Sequence, residues 1–298
     1  DDSALRFPYL MARNQNCSVS RPAKLITLAH SPDADDAFMF YALAQRRIDT
    51  GELRFEHVLA DIETLNQKAL RATYDVTAIS FHAYAYLHGR YQLLRCGASF
   101  GDGYGPLLVA PTALAPEQIR GKRVAIPGKL TSAYLLLELF APGIDTVVVP
   151  FDRIPEAIKG GQADLGLLIH EAQLTYADLG LHAVADLGAW WKQQTGLPVP
   201  LGGNAVRRDL PPALVEHLAD LLRQSIRYAL DHRQEALDYA LGFVRGLSPE
   251  LGERFVGMYV NQWTLDCGEE GRQAIQELLD RAYEAKLIPQ RVSVELVG

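Results

Sequence analysis

Cysteine is nearly absent. Cys17, Cys96 and Cys267 are the only three in 298 residues, far apart and without a C-x-x-C pair. That argues against a disulfide framework or a cysteine-held zinc site and fits a reducing compartment. Long apolar runs are missing too. None approaches the ~20 residues needed to cross a bilayer. The first twenty residues, DDSALRFPYLMARNQNCSVS, lack the apolar stretch of a secretory signal. Cys17 follows Gln15-Asn16 rather than the small apolar residues that precede a lipidated cysteine. Nor is there a basic surface run: 29 Lys and Arg stand against 36 Asp and Glu, a net charge of −7. Nucleic acid and anionic membrane are therefore poor partners. The expectation is a cytoplasmic protein that acts on a small molecule. Asp1 is no initiator and the periodic pattern begins only at Lys24. Residues 1–23 are thus expected to form a disordered extension, with Met11 as the natural start.

What is present is an ordinary globular composition, 48% hydrophobic and 22% charged. Lys24–His30 reads as a strand, Ser31-Pro32-Asp33 as a turn with helix-start chemistry, and Ala37–Ala44 as the helix that follows. Strands over Leu53–Leu59, Asp75–Ser80 and Tyr91–Cys96 alternate with helices starting near Asp61 and Phe81, which predicts a parallel sheet with helices on its faces. The glycine-dense stretch Gly97–Pro106 breaks this rhythm. Alternation resumes at Lys122 and runs through a helix over Thr131–Phe140 to a short apolar strand at Leu165–Ile169. A second irregular passage, Gly196–Gly203, precedes a helical tail over 211–231, 233–245, 249–260 and 269–286. The prediction is an α/β protein in which one lobe, 112–203, is inserted into a larger discontinuous one, 24–111 and 204–298, with crossings near 110–113 and 196–203. Two lobes joined twice enclose a cleft.

Residues at strand ends and helix starts fall on the rim of such a cleft. His170 ends the strand Leu165–Ile169, and Ser80 ends another. Thr131 and Ser132 open a helix, where free N–H groups and two hydroxyls make a carboxylate receptor or a plain N-cap. Asp33, Asp35 and Asp36 cluster in His30–Asp36, where capping and cleft lining compete. An EF-hand is excluded because Ala37 and Phe38 occupy its fifth and sixth positions, so no metal is expected. Like charges ~4 Å apart repel by about 4 kcal/mol at an effective dielectric of 20, so a ligand should present hydroxyls or a carbonyl there, not its acid group. Ser99 sits in a G-x-S-x-G string, but Asp102–Pro106 cannot start the helix that a nucleophile elbow requires. Gly128-Lys129-Leu130-Thr131 matches a phosphate loop only superficially. Trp190 and Trp191 fit packing better than stacking on a ligand.

Several strings carry a family resemblance: SPDADDAF with FYAL, then DIETLN, GKLTSAYLLL, LLIHEAQLTY, and DLGAWWKQQTGLPVPLG with RRDL. From Lys24 into the C-terminal helices the chain resembles 1,4-dihydroxy-6-naphthoate synthase of the futalosine route to menaquinone. The resemblance implies a type II periplasmic-binding-protein fold. It also implies a lyase that splits cyclic dehypoxanthinyl futalosine into dihydroxynaphthoate and a sugar-derived fragment, with no metal or organic cofactor. The substrate would be a small carboxylate, and a homodimer is one possible assembly. The family's proposed base, the histidine of I-H-E, corresponds to His170. Its substrate-contacting serine corresponds to Ser80, and its hydroxyl pair to Thr131 and Ser132. A neutral imidazole near pKa 6.5 would take the proton. One string departs from the family: the usual SPCPNDTF is here Ser31–Phe38 with Asp33 and Asp35. A carboxylate donates no hydrogen bond unless it is protonated.

Two other readings share the fold. A solute-binding protein of a transporter is disfavoured by the absent signal and anchor and by a histidine at the cleft. Chorismate dehydratase is disfavoured by His170 and the AWW segment. Fold alone does not separate them.

Overall fold

The computed structural model describes residues 5–6, 24–244 and 248–298. The expectation for the N-terminal extension therefore lies almost wholly outside the described residues. In chain order the first run is β1 (Leu5–Arg6), β2 (Lys24–His30), α1 (Ala34–Ala44), β3 (Leu53–Leu59), α2 (Ile62–Ala69), β4 (Val76–Ser80), α3 (Phe81–Leu87), β5 (Tyr91–Leu94) and β6 (Ser99–Gly101). A second run holds β7 (Leu107–Ala110), β8 (Arg123–Ile126), α4 (Ser132–Phe140), β9 (Asp145–Val148), α5 (Ile154–Lys159), β10 (Leu165–Leu168), α6 (Ala172–Thr175), β11 (His182–Asp186) and α7 (Leu187–Thr195). Then come β12 (Val199–Arg207), α8 (Pro212–Asp231), α9 (Arg233–Leu241), α10 (Pro249–Tyr259), α11 (Gln262–Leu265), α12 (Gly268–Glu284) and β13 (Leu296–Val297).

Two sheets result. The first has the order β1-β3-β2-β4-β12-β5-β13, with β6 also on β12; the second runs β11-β7-β10-β8-β9. Both are mixed rather than purely parallel. β12 is antiparallel to β4, and β10 lies between parallel β8 and antiparallel β7. The reason is the double crossing: a strand that returns from the other sheet enters from the opposite end. All four residues of β10 are buried, as a strand covered on both faces requires. The outward crossing falls between Gly101 and Leu107, ahead of the expected 110–113, because β7 pairs with β10 and β11 in the second sheet. The return falls between Thr195 and Val199.

Capping sets the helix starts that matter for function. Asp33 caps α1 by accepting from Asp36 N at 3.3 Å, and Thr131 caps α4 by accepting from Tyr134 N at 3.1 Å. Each cap follows within five residues of a strand end of its sheet, and both caps line the cavity between the sheets. A shared apolar core spans elements of both sheets. Phe81 and Tyr84 of α3, Leu136 of α4, Trp191 of α7 and Leu278 of α12 all belong to it. Trp191 is fully buried and its indole donates to Pro198 O at 3.2 Å, with the Arg281 guanidinium over its face. It is a packing residue. No helix among the described residues is long and apolar enough to cross a membrane.

Candidate active site

A cavity enclosing about 710 Å³, part of it open solvent, lies between the two sheets. Asp33, Asp35, Ser80, Thr131, Ser132 and His170, every site residue expected from the sequence, line this one cavity.

His170 comes from the second sheet. Its backbone has φ 55, a left-handed conformation that a non-glycine residue keeps only when its surroundings impose it. Gln173 imposes it from both sides. Gln173 N donates to His170 O at 3.2 Å, and its side-chain oxygen accepts from His170 N at 3.2 Å when the amide nitrogen faces Gly105 O and Tyr259 Oη. This is the amide orientation that satisfies both ends. The turn carries the imidazole to the first sheet, where Nδ1 lies 2.8 Å from Asp33 Oδ2. Phe151 packs edge-on, with ring centroids 4.9 Å apart. The other ring nitrogen, Nε2, is buried without a partner.

Burial alone pulls the His170 pKa down. The Asp33 charge and hydrogen bond, helped by Glu171 and Asp36, outweigh it and lift the pKa to about 9. Asp33 is pushed the other way, since the imidazolium and its hydrogen bonds overcome the cost of burial. Nδ1 therefore carries a proton and donates to a carboxylate. This corrects the expectation of a resting neutral imidazole near pKa 6.5: the neighbouring carboxylates hold the cation.

Asp35 and Asp36 are raised well above the ordinary range, first by burial and then by the Asp33 charge. Asp36 is tied up, accepting from Ser31 N at 2.7 Å. Asp35 accepts from Ser99 Oγ at 3.2 Å through one oxygen, while the other is buried without a partner. The sequence reading left Asp35 unable to donate unless protonated; burial and the Asp33 charge shift it toward that protonated form. Ser99 sits in β6 as a neighbour of Asp35, away from any strand-to-helix elbow. Asp33, Asp35 and His170 bring one ligand-type atom each within 4.8 Å of one another. With Nδ1 protonated and bonded to Asp33, that nitrogen offers no lone pair to a cation.

Another part of the cavity lining is a hydroxyl and amide wall. Ser80 is fixed by Asn66, which donates to Ser80 Oγ at 3.0 Å and accepts from Ser80 N at 2.9 Å. The serine proton is thereby left to donate elsewhere. Thr131 is less free than expected: its hydroxyl donates to Gly128 O at 2.8 Å while capping α4. Its side chain is spent on the turn. Ser132 Oγ accepts from His82 N at 3.2 Å and keeps its own proton for donation. The N–H groups of Ser132 and Ala133 stand in the first turn of α4, where no intrahelical acceptor exists. This wall suits a carboxylate.

Sequence reasoning missed Asn66, Gln173, Glu171 and Tyr259. Glu171 Oε1 accepts from Ala34 N at 3.1 Å, joining the second sheet to the start of α1. Asn66 lay inside the DIETLN string and Glu171 and Gln173 beside His170, so those strings held the signal. Tyr259 ends a distant helix and left none.

Comparison with known proteins gives a consistent picture. A family model described as menaquinone biosynthesis matches residues 26–284. The 1,4-dihydroxy-6-naphthoate synthase of Thermus thermophilus is 44% identical over 257 residues, 86% of this chain and 93% of that protein. That of Streptomyces coelicolor is 39% identical over 273 residues, 90% of this chain and 96% of that protein. A crystal structure of a protein from Archaeoglobus fulgidus superposes with TM-score 0.85 at 49% identity, covering 89% of this chain and 98% of that one. The alkanesulfonate-binding protein of Xanthomonas axonopodis superposes with TM-score 0.72 at 16% identity, covering 93% and 98%, which shows the periplasmic-binding-protein-like fold alone. On the match across residues 26–284 and the two curated relatives, the chain belongs to the menaquinone-biosynthesis family of 1,4-dihydroxy-6-naphthoate synthases, which are enzymes.

Proposed function

We propose that this chain is a carbon–carbon lyase that takes cyclic dehypoxanthinyl futalosine into the inter-sheet cavity and releases 1,4-dihydroxy-6-naphthoate, with His170 as the base. The observation that carries this reading is a single atom: Nε2 of His170, unpartnered and buried in a ring that lines the cavity. Nδ1 is already engaged, so Nε2 is the position from which a proton can be exchanged. In the proposed step Nε2 takes a proton from substrate carbon. The electron pair released forms a double bond in the bicyclic system, the bond to the sugar-derived carbon breaks with its pair leaving on the sugar-derived fragment, which takes up a proton, and the ring becomes aromatic. The imidazolium that forms is stabilised by Asp33. The acid group of the substrate faces Ser80, Ser132 and the start of α4, and its hydroxyl or carbonyl groups face Asp35. This arrangement keeps like charges apart.

Incubation of the purified protein with cyclic dehypoxanthinyl futalosine is expected to produce naphthoate absorbance. Tight binding without turnover would favour a carrier that shares the fold. The Ser80→Ala variant should bind the naphthoate product about tenfold or more weakly, because a hydrogen bond to a charged group contributes about 1.5–3 kcal/mol; isothermal titration with the product measures it. The Thr131→Val variant should instead lose about 1 kcal/mol of stability with the cap, measured by denaturant unfolding.

A further inference from the structure

We infer that Asp33 is a positioning residue for His170, supplied from the opposite side of the cavity, so that the base is complete only while the two sheets are held together. This deepens the reading of His170 as the base and rests on it. Asp33 caps α1 behind β2 of the first sheet; His170 follows β10 of the second. Their hydrogen bond is 2.8 Å long and buried. Other bonds hold the same closure. Glu171 accepts from Ala34 N, and Glu63 on α2 accepts from Leu130 N at 3.0 Å. The addition of a Cβ at Gly128 would place it 2.3 Å from Glu63, so the loop before α4 is shaped for that approach.

Three consequences follow from the pairing. Asp33 fixes the tautomer: with the Nδ1 proton donated to a carboxylate, Nε2 is the nitrogen that exchanges protons. It fixes the ring plane, together with the Phe151 edge. It also raises the ring's basicity, so the ring's hold on an abstracted proton depends on the two halves meeting. The charged or titratable groups that face the ring are Asp33, Asp35 and Asp36 from α1 and Glu171 from its own loop. Asp33 makes the direct bond to the ring and is the largest of the raising influences on it, so it is the principal counter-charge.

The test is the titration of His170 in the substrate-free full chain, read from its imidazole resonances by NMR and assigned with His170→Asn. In the wild type the His170 resonance is expected to titrate near pH 9. In Asp33→Asn, which preserves an N-cap, it should titrate at or below the ordinary histidine value of about 6.5. In turnover, Asp33→Asn should lower kcat on the order of 10²-fold with KM little changed, since the asparagine can donate to Nδ1 and reverse the tautomer. Asp33→Ser, which caps α1 but is too short to hold the ring, should behave the same way. An unchanged titration in both variants overturns the inference, as does wild-type kcat in both. The NMR arm needs no substrate, so it stands apart from whether the chain turns over the proposed futalosine derivative.

Discussion

Replacing His170 with asparagine is expected to lower kcat by on the order of 10²–10⁴-fold, the range that a positioned acid–base group contributes. Asparagine is the informative substitution because it tolerates the left-handed backbone at φ 55, where alanine adds strain of its own. The naphthoate product should bind nearly as well as to the wild type, since Ser80, Ser132 and the start of α4 form a separate wall. Stability should not be untouched, although a rim histidine read from sequence alone would predict that. Removing one member of a buried pair costs about 3–5 kcal/mol when the remaining charge is uncompensated. Asp33 can escape that cost only by taking up a proton, so the variant itself should melt at a lower temperature at pH 8 than at pH 5. The sign follows from linkage: without the imidazolium, burial raises the Asp33 pKa, and folding then favours the protonated acid. Steady-state kinetics with thermal melts at both pH values decide the matter. Wild-type kcat in the variant removes His170 from the chemistry.

The second large effect lies away from the cavity. Gly188→Ala should destabilise the protein by about 3 kcal/mol or more, at or beyond the upper end of ordinary overpacking. A Cβ there would sit 2.0 Å from Tyr104 O and 2.1 Å from Tyr104 C, both backbone atoms of the outward crossing. The same carbonyl lies 2.0 Å from a Cβ built on Gly101, so two glycines let the crossing pass close to the start of α7. Backbone cannot rotate aside as a side chain can. Chemical denaturation should show a lower midpoint, and a variant with unchanged stability would mean that the crossing can move bodily. Gly51→Ala, where nothing lies within 4 Å, controls for substitution as such, although its positive φ still adds strain.

The two-sheet plan was legible because each strand–helix pair announces itself locally. Asp33, Asp61 and Thr131 are helix starts in the sequence and caps in the structure. Helix ends were less legible: the expected helix over 233–245 stops at Leu241, and a short turn, Gln262–Leu265, went unread. Strand direction was harder still, because β12 is antiparallel for a topological reason that no local pattern encodes. Leu107–Ala110 was placed in the wrong sheet for the same reason, as its partners β10 and β11 lie more than fifty residues downstream. At the site, the residues of the resemblance did converge on one cavity, yet their states were not readable. Whether Thr131 has a free hydroxyl depends on Gly128 O, and whether His170 is charged depends on Asp33, 137 residues earlier. Protonation is a property of neighbours in space, and Asp35 illustrates it: burial and the Asp33 charge raise its pKa well above the ordinary carboxylate range.

The central claim is that a histidine held by Asp33 takes the substrate's proton, and the pH dependence of kcat/KM for the wild-type enzyme tests it most directly. Only the deprotonated imidazole can accept. Its pKa is raised to about 9. The account therefore predicts that kcat/KM climbs about tenfold per pH unit from near neutrality and levels off close to that pKa. A profile that is flat or falls across the same range would contradict it.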